Sequence, residues 1–474
     1  MAEALKRRFD LLTLRIAMNL TGDSPMVSFT LQGKYDGESD CFFERMAEAA
    51  EIGLPERLSR SETVYEGMQF ALPVAVVRDL EQVIADSDYE DQPLWLHLAK
   101  PLGYLNLVPW EELLQRSVRR PILRLPDFLA NPPRENVRRL EVAICCSMPI
   151  AKGHFTAVDH LFGMANDLLD TVPRKTTVHI FSDAALFPDI SRRVDESHMD
   201  RIMVHDPADA EWFASSDRQY SLEGRSGRVR NPWLLWMLDA LADRSVDMVH
   251  FLTHGYVSEE AGALAFAESP IENQDRRMAR FVGVAELIAF LTQSGAWCTA
   301  FTSPEGNYSE MGLRQLADTV AQLRPGPVLH HETRLDESGE ALRNAYRFLF
   351  GRADEPAPES SAVFMYCHPE LFESPKPAIW QSQTRSGDRG VPSLEDTVRE
   401  FYQESEVVPS WVGSSQRYFE QRRREVMELK AHEATMSDDG TPSLIDDAEV
   451  IEKTLEQIER ALGNVLTNKG FGGD

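Results

Sequence analysis

The stretch Val246-Asp-Met-Val-His-Phe-Leu-Thr-His254-Gly255 decides the fold. Val246, Met248, Val249, Phe251 and Leu252 form an apolar run of strand length. The run stops at His254-Gly255, where glycine lets the backbone turn sharply. Taken alone, this is a structural histidine at a strand end. A second stretch, Ala296-Trp-Cys-Thr-Ala-Phe-Thr-Ser303-Pro-Glu-Gly306, ends in a comparable way. In an open α/β sheet, reactive groups sit beyond the carboxyl ends of the strands, near a switch in strand order. If the two strands are neighbours, His254 and Ser303 share one cleft. A histidine beside a hydroxyl or thiol is the minimal nucleophile–base pair.

Outward from these runs, residues 140 to 367 alternate between strand and helix patterns. Strands are expected at Leu140–Met148, Thr177–Phe181, Pro327–His331 and Ala362–Cys367. Helices are expected at Phe155–Leu169, Trp233–Leu241, Gly283–Leu291, Gly312–Leu323 and Ala341–Leu349. Such alternation implies a mostly parallel sheet with helices on both faces. Before residue 125 the pattern is richer in strands. Leu12, Leu14 and Ile16 alternate with polar residues, as do Val27, Phe29 and Leu31. Pro109, Glu111 and Glu112 open a helix, where proline and acidic residues are favoured by the missing donor and the helix dipole.

Composition bounds the function. The chain has 474 residues, 43% of them hydrophobic, and so can bury a sizeable core. A formal net charge of -27 argues against nucleic acid and against an anionic membrane surface as partners. The five cysteines (Cys41, Cys145, Cys146, Cys298 and Cys367) are odd in number and lack metal-ligand spacing, which is reduced usage. The first residues lack a signal-peptide core and no apolar stretch reaches bilayer length, so a cytoplasmic location is expected. No motif asks for a metal or an organic cofactor. Gly224–Arg230 has no phosphate-loop Lys-Ser/Thr and reads as an exposed loop.

Three stretches resemble the caspase-like CHAT family, related to caspases, separases and gingipains. Leu105-Asn-Leu-Val-Pro109-Trp110-Glu111-Glu112-Leu113 is similar to its Pro-Trp-Glu segment. Val249-His-Phe-Leu-Thr-His254-Gly255 is similar to its histidine strand, with Gly262–Phe266 as the following hairpin. Ala296–Gly306 is similar to its nucleophile strand, which usually ends in Cys-x-x-Gly. The resemblance covers roughly residues 10 to 370. It implies a three-layer α/β/α sandwich and a peptidase with His254 as base, position 303 as nucleophile, and backbone N–H groups of Gly255 and residue 303 as the oxyanion hole.

This chain departs from the pattern at the nucleophile, where Ser303 stands in place of cysteine. A free thiol ionises near pH 8.5, and an imidazole can lower that further. A serine needs a histidine oriented by a third carboxylate; near His254, Asp247 is too early on the strand and Glu259 and Glu260 lie in the following loop, so no third member is evident. Cys298 is five residues earlier and lies on the other face of a strand. Three readings stay open: an engineered Cys-to-Ser change in a working peptidase, a native pseudopeptidase, or a native serine nucleophile. Among other histidines, His250 reads as a packed core residue, and His330 and His331 point to opposite faces. Trp110 and Glu111 read as packing and helix capping.

The expected organisation is an N-terminal β-rich part at 8–125, a caspase-like core at 138–372, a linker at 373–392 and a helical module at 393–474. In the last, Ile451, Leu455, Ile458 and Leu462 form an amphipathic stripe that suits a partner protein. The expected function is a CHAT-type endopeptidase cleaving a partner protein, in bacterial antiviral defence or programmed cell death. The alternative is an inactive relative acting as scaffold, adaptor or inhibitor.

Overall fold

Strand β9 (Met248–Tyr256) grows from the His254 run and lies at the centre of a 14-stranded sheet. A computed structural model describes residues 9 to 371, except 10, 20–23, 36–37, 56–61, 87–91, 101, 129–138, 149–156, 174, 198–199, 215–228, 242–245, 258–260, 272–278, 305, 352–354 and 370. The expected linker at 373–392 and helical module at 393–474 lie outside the described residues. Every element below belongs to one compact unit.

The strands are β1 (Thr13–Asn19), β2 (Met26–Tyr35), β3 (Glu38–Glu48), β4 (Leu94–Ala99), β5 (Ile122–Arg124), β6 (Arg139–Ser147), β7 (Lys175–Ser182), β8 (Ile202–Val204), β9, β10 (Ala263–Ala267), β11 (Ala279–Gly283), β12 (Cys298–Ser303), β13 (Val328–Glu332) and β14 (Val363–Tyr366). The helices are α1 (Glu62–Glu66), α2 (Val74–Asp86), α3 (Trp110–Val118), α4 (Ala157–Thr171), α5 (Phe187–Ser197), α6 (Glu211–Ala214), α7 (Pro232–Ala240), α8 (Val284–Gln293), α9 (Asn307–Leu323) and α10 (Glu340–Phe350).

The sheet order is β3-β2-β1-β4-β5-β14-β13-β12-β9-β6-β7-β8. From β13 to β8 neighbouring strands are all parallel. β14 runs antiparallel to β13, and β5, β4 and β1 run parallel to β14. The fold is therefore α/β with a large, mostly parallel sheet, as the strand–helix alternation required. The chain steps outward through β6, β7 and β8, then returns to place β9 on the other side of β6. That reversal puts a topological switch at the carboxyl ends of β6 and β9.

Alternation sorts the side chains by face. Ala143, Cys145, Val249, Phe251 and Phe301 join one core with Trp233 and Met237 of α7, Leu287 and Phe290 of α8, and Leu313, Leu316 and Val320 of α9. His250 faces the other way and meets Tyr346 of α10. Three sequence features enforce these contacts. Asn231 caps α7, its side chain accepting from the Trp233 N–H at 2.9 Å, with Pro232 at the first helical position. Glu286 of α8 accepts both the Arg230 and Asn231 amides at 2.6 Å. A third device is the close seating of α9 on β9.

The expected Pro-Trp-Glu helix is α3, but Glu111 does not cap it. Trp110 is fully buried and donates its indole N–H to the Leu105 carbonyl at 2.7 Å. Glu111 is 3% exposed and accepts two hydrogen bonds from Arg124 of β5, both at 2.7 Å. The third arm of Arg124 donates to Asp318 of α9 at 2.5 Å, and Tyr366 of β14 donates to the same carboxylate oxygen at 3.1 Å. The guanidinium lies 3.7 Å from the centroid of Phe364. Burial raises the Asp318 carboxyl to about 6, against the pull of Arg124. Replacing Arg124 by Met strands two carboxylates without a counter-charge. Urea unfolding of Arg124→Met is expected to show a loss of about 3–5 kcal/mol, and a loss below about 1 kcal/mol would refute this account of the cluster.

Candidate functional site

The two strands singled out in the sequence are direct neighbours. β9 and β12 pair in parallel, with Cys298 opposite Met248 and Thr302 opposite Leu252. Their carboxyl ends lie together, next to the switch between β6 and β9. Register partners in a sheet share a face. Thr302 therefore faces with Leu252, His250 and His254, whereas Ser303, one residue on, faces with Thr253 toward α9. Adjacent tips do not bring the two expected catalytic side chains to the same side.

Ser303 is 0% exposed, and its hydroxyl donates to the carbonyl of the following residue, Pro304, at 2.9 Å. Its own carbonyl accepts from the Thr333 hydroxyl at 2.9 Å. No hydrogen bond joins Ser303 to His254. His254 is partly exposed and pairs across β9 and β10 with Ala265. Cys298 is fully buried at the start of β12, away from the tip.

Gly255 serves a packing role. Its N–H donates to the Ser309 hydroxyl of α9 at 2.8 Å, so the amide expected in an oxyanion hole is already engaged. A Cβ added at Gly255 would lie 2.2 Å from the Ser309 carbonyl oxygen and 2.6 Å from the Leu313 nitrogen. Gly312 of α9 approaches Tyr256 and Gly255 equally closely from the other side. The glycines allow α9 to sit directly on the strand. The hairpin of β10 and β11 then closes the rim: Thr253 donates to the Ala265 carbonyl at 2.7 Å, and Ser147 accepts from the Ala267 amide at 2.8 Å.

On the opposite face lies a chain of polar contacts that the sequence did not reveal. The Tyr346 hydroxyl and His250 Nδ1 are 2.6 Å apart, and His250 Nε2 lies 2.7 Å from the Thr302 hydroxyl. The same hydroxyl lies 3.2 Å from Nδ1 of His331, whose Nε2 is 3.2 Å from Asp336. Asp336 also accepts from the Leu342 amide at 3.0 Å. Every member is buried, with Thr302 at 1% and His250 at 0% exposure. The series carboxylate–imidazole–hydroxyl is ordered like a hydrolytic triad, but the His331–Asp336 approach lacks hydrogen-bond geometry and the hydroxyl is closed to any substrate. Burial drives the His250 imidazole down to about 3, with His331 adding to the effect. Partner hydrogen bonds hold Asp336 at about 2 against its burial. His330 turns to the α9 face and stacks on Phe364 with centroids 4.8 Å apart, so the two adjacent histidines serve different layers. Each was an ordinary strand residue in the sequence; only the strand order puts His250, Thr302 and His331 in a row.

Two outcomes are expected. His250 stays neutral in the fold and takes a proton when unfolded, so its contribution is complete above pH 6.5 and declines toward pH 3. Over that window the stability difference between the native protein and His250→Gln, read by urea titration, should fall by about 1.4 kcal/mol per pH unit. A flat difference would show that His250 is charged in the fold. Gly255→Ala should cost about 1–3 kcal/mol because the added Cβ meets the Ser309 and Leu313 backbone as well as the Leu313 side chain. Gly163→Ala on α4, where an added Cβ meets nothing within 4 Å, should be neutral or stabilising.

No family model and no curated protein matches this chain. Among solved structures, a ketoreductase domain from the bacillaene assembly line aligns over 68% of this chain and 87% of its own at 8% identity. The TM-score is 0.23, a level of likeness on which no argument rests.

Proposed function

We propose that this chain is a caspase-like α/β protein without peptidase activity, which acts by binding a partner protein as a scaffold, adaptor or inhibitor. The observation that carries this reading is the state of Ser303: fully buried, bonded to its neighbour's carbonyl, and on the sheet face opposite His254. A serine nucleophile needs a base within about 3 Å and an open approach for the scissile carbonyl. The Gly255 amide, committed to Ser309, supports the same reading. The neighbouring parallel tips of β9 and β12 are what a peptidase ancestry would leave behind. The large acidic surplus favours a partner with a basic surface, and the amphipathic stripe at Ile451–Leu462 is the natural contact to test. No described helix is long and apolar enough to cross a membrane.

The test is a mixture-based peptide library offered to three proteins: the native chain, Ser303→Cys, and Ser303→Cys combined with His254→Ala. All three should be silent, because a thiol at 303 inherits the wrong face. Cleavage by the native chain would overturn this reading and point to Ser303 as a serine nucleophile. Cleavage gained in Ser303→Cys and lost in the double variant would restore the cysteine-peptidase reading.

A further inference from the structure

Between α3, α9 and the segment after α1 lies a cavity of about 230 Å³. That is below the roughly 300–1,000 Å³ typical of drug-sized ligands, so it suits a smaller molecule. Met68, Phe70, Leu113 and Met311 supply the smaller, apolar part of the lining; Glu112, Arg314 and Arg334 are among the residues of the larger, polar part. The charged groups are held from behind. Arg314, 3% exposed, donates to Glu332 at 2.7 Å and to the Leu107 carbonyl at 2.5 Å. Its remaining arm only approaches Glu310, at 3.6 Å. Arg334 makes long contacts, 3.4 Å to Glu310 and 3.2 Å to Glu112, and both it and Glu112 are about one-third exposed at the cavity.

The chemistry is specific. Two guanidinium groups with unsaturated donors face the cavity, which suits a carboxylate. A partly exposed carboxylate, Glu112, stands beside them, which suits an ammonium. The buried Glu310 and Glu332 each keep one oxygen without a hydrogen-bond partner, 3.6 Å from Arg314 and 3.7 Å from Arg334, so the acids behind the arginines are not fully satisfied either. Burial, with Glu332 beside it, lifts the Glu310 carboxyl to about 7, so this group can take up a proton when further negative charge arrives. A lone anion would face Glu112, and a lone cation would face Arg334. A zwitterion exchanges the loose Glu112–Arg334 contact for one good bond to each.

We infer that this cavity is a binding site for a small apolar α-amino acid, its carboxylate on Arg314 and Arg334, its ammonium on Glu112, and its side chain against Met68, Phe70, Leu113 and Met311. The inference stands apart from the question of peptidase activity, since none of these residues belongs to the tips of β9 and β12.

The experiment measures thermal unfolding and calorimetric binding of the full chain with L-leucine, L-methionine and L-phenylalanine at about 10 mM, a concentration that reports millimolar affinity. At least one is expected to raise the unfolding midpoint by about two degrees or more. Leucinamide, which lacks the carboxylate, and N-acetylleucine, which lacks the ammonium, should each bind at least tenfold more weakly than leucine. Glu112→Gln and Arg334→Met should each weaken binding about tenfold or more. The analogue series uses the native chain, so it decides the matter even if a variant fails to fold. No shift with any of the three amino acids would overturn the inference. So would N-acetylleucine or leucinamide binding as well as leucine, which would show that one charge alone is read.

Discussion

The two-residue period of β9 and β12 governs what this molecule can do. The strands are hydrogen-bonded neighbours in a fixed register, so each side chain at their tips has one face available to it. His254 falls to the side of His250 and Thr302, and Ser303 to the side of α9. No rotamer change carries a side chain through a sheet. A one-residue slip of β12 would move Ser303 to the face of His254, but would also transfer Phe301 out of its 6.0 Å stack with Phe251. The aromatic core around Phe251, Phe290 and Phe266 therefore enforces the separation.

Much of the architecture was legible because it rests on local patterns. The apolar runs at 140–148, 246–252 and 298–303 became central parallel strands, and the capped entry at Asn231-Pro232 became a helix start. Neighbouring strands with aligned tips were also expected. What could not be read was which face each tip residue occupies, because that depends on the register between strands 50 residues apart. Glu111 shows the same limit. Its place in a first helical turn suggested a capping role, whereas its partner Arg124 lies on β5, a strand of three residues that leaves almost no periodic signal. Buried polar clusters in general escape sequence reading, since each member is an unremarkable residue until the fold assembles its partners.

The glycines at 255 and 312 connect the packing to the chemistry. By removing Cβ atoms from both surfaces they let α9 approach β9 closely enough for Ser309 to take the Gly255 amide. That seating fixes the strand end and at the same time consumes a donor that a tetrahedral intermediate would need. At this spot one amide is held by the same contact that seats α9 on β9. The polar chain from Tyr346 to Asp336 does similar work on the other face, clamping the tips of β12 and β13 to α10.

The Arg124 cluster has a consequence for biosynthesis. It gathers residues 111, 124, 318 and 366, so a guanidinium and a carboxylate made early acquire their remaining partners only after some two hundred further residues have been translated. At the usual pace of about 5–20 residues per second, the early segment spends ten seconds or more with that cluster unfinished. The cluster is therefore completed only once β14 has been made, although the amino-terminal strands already share an apolar core of their own.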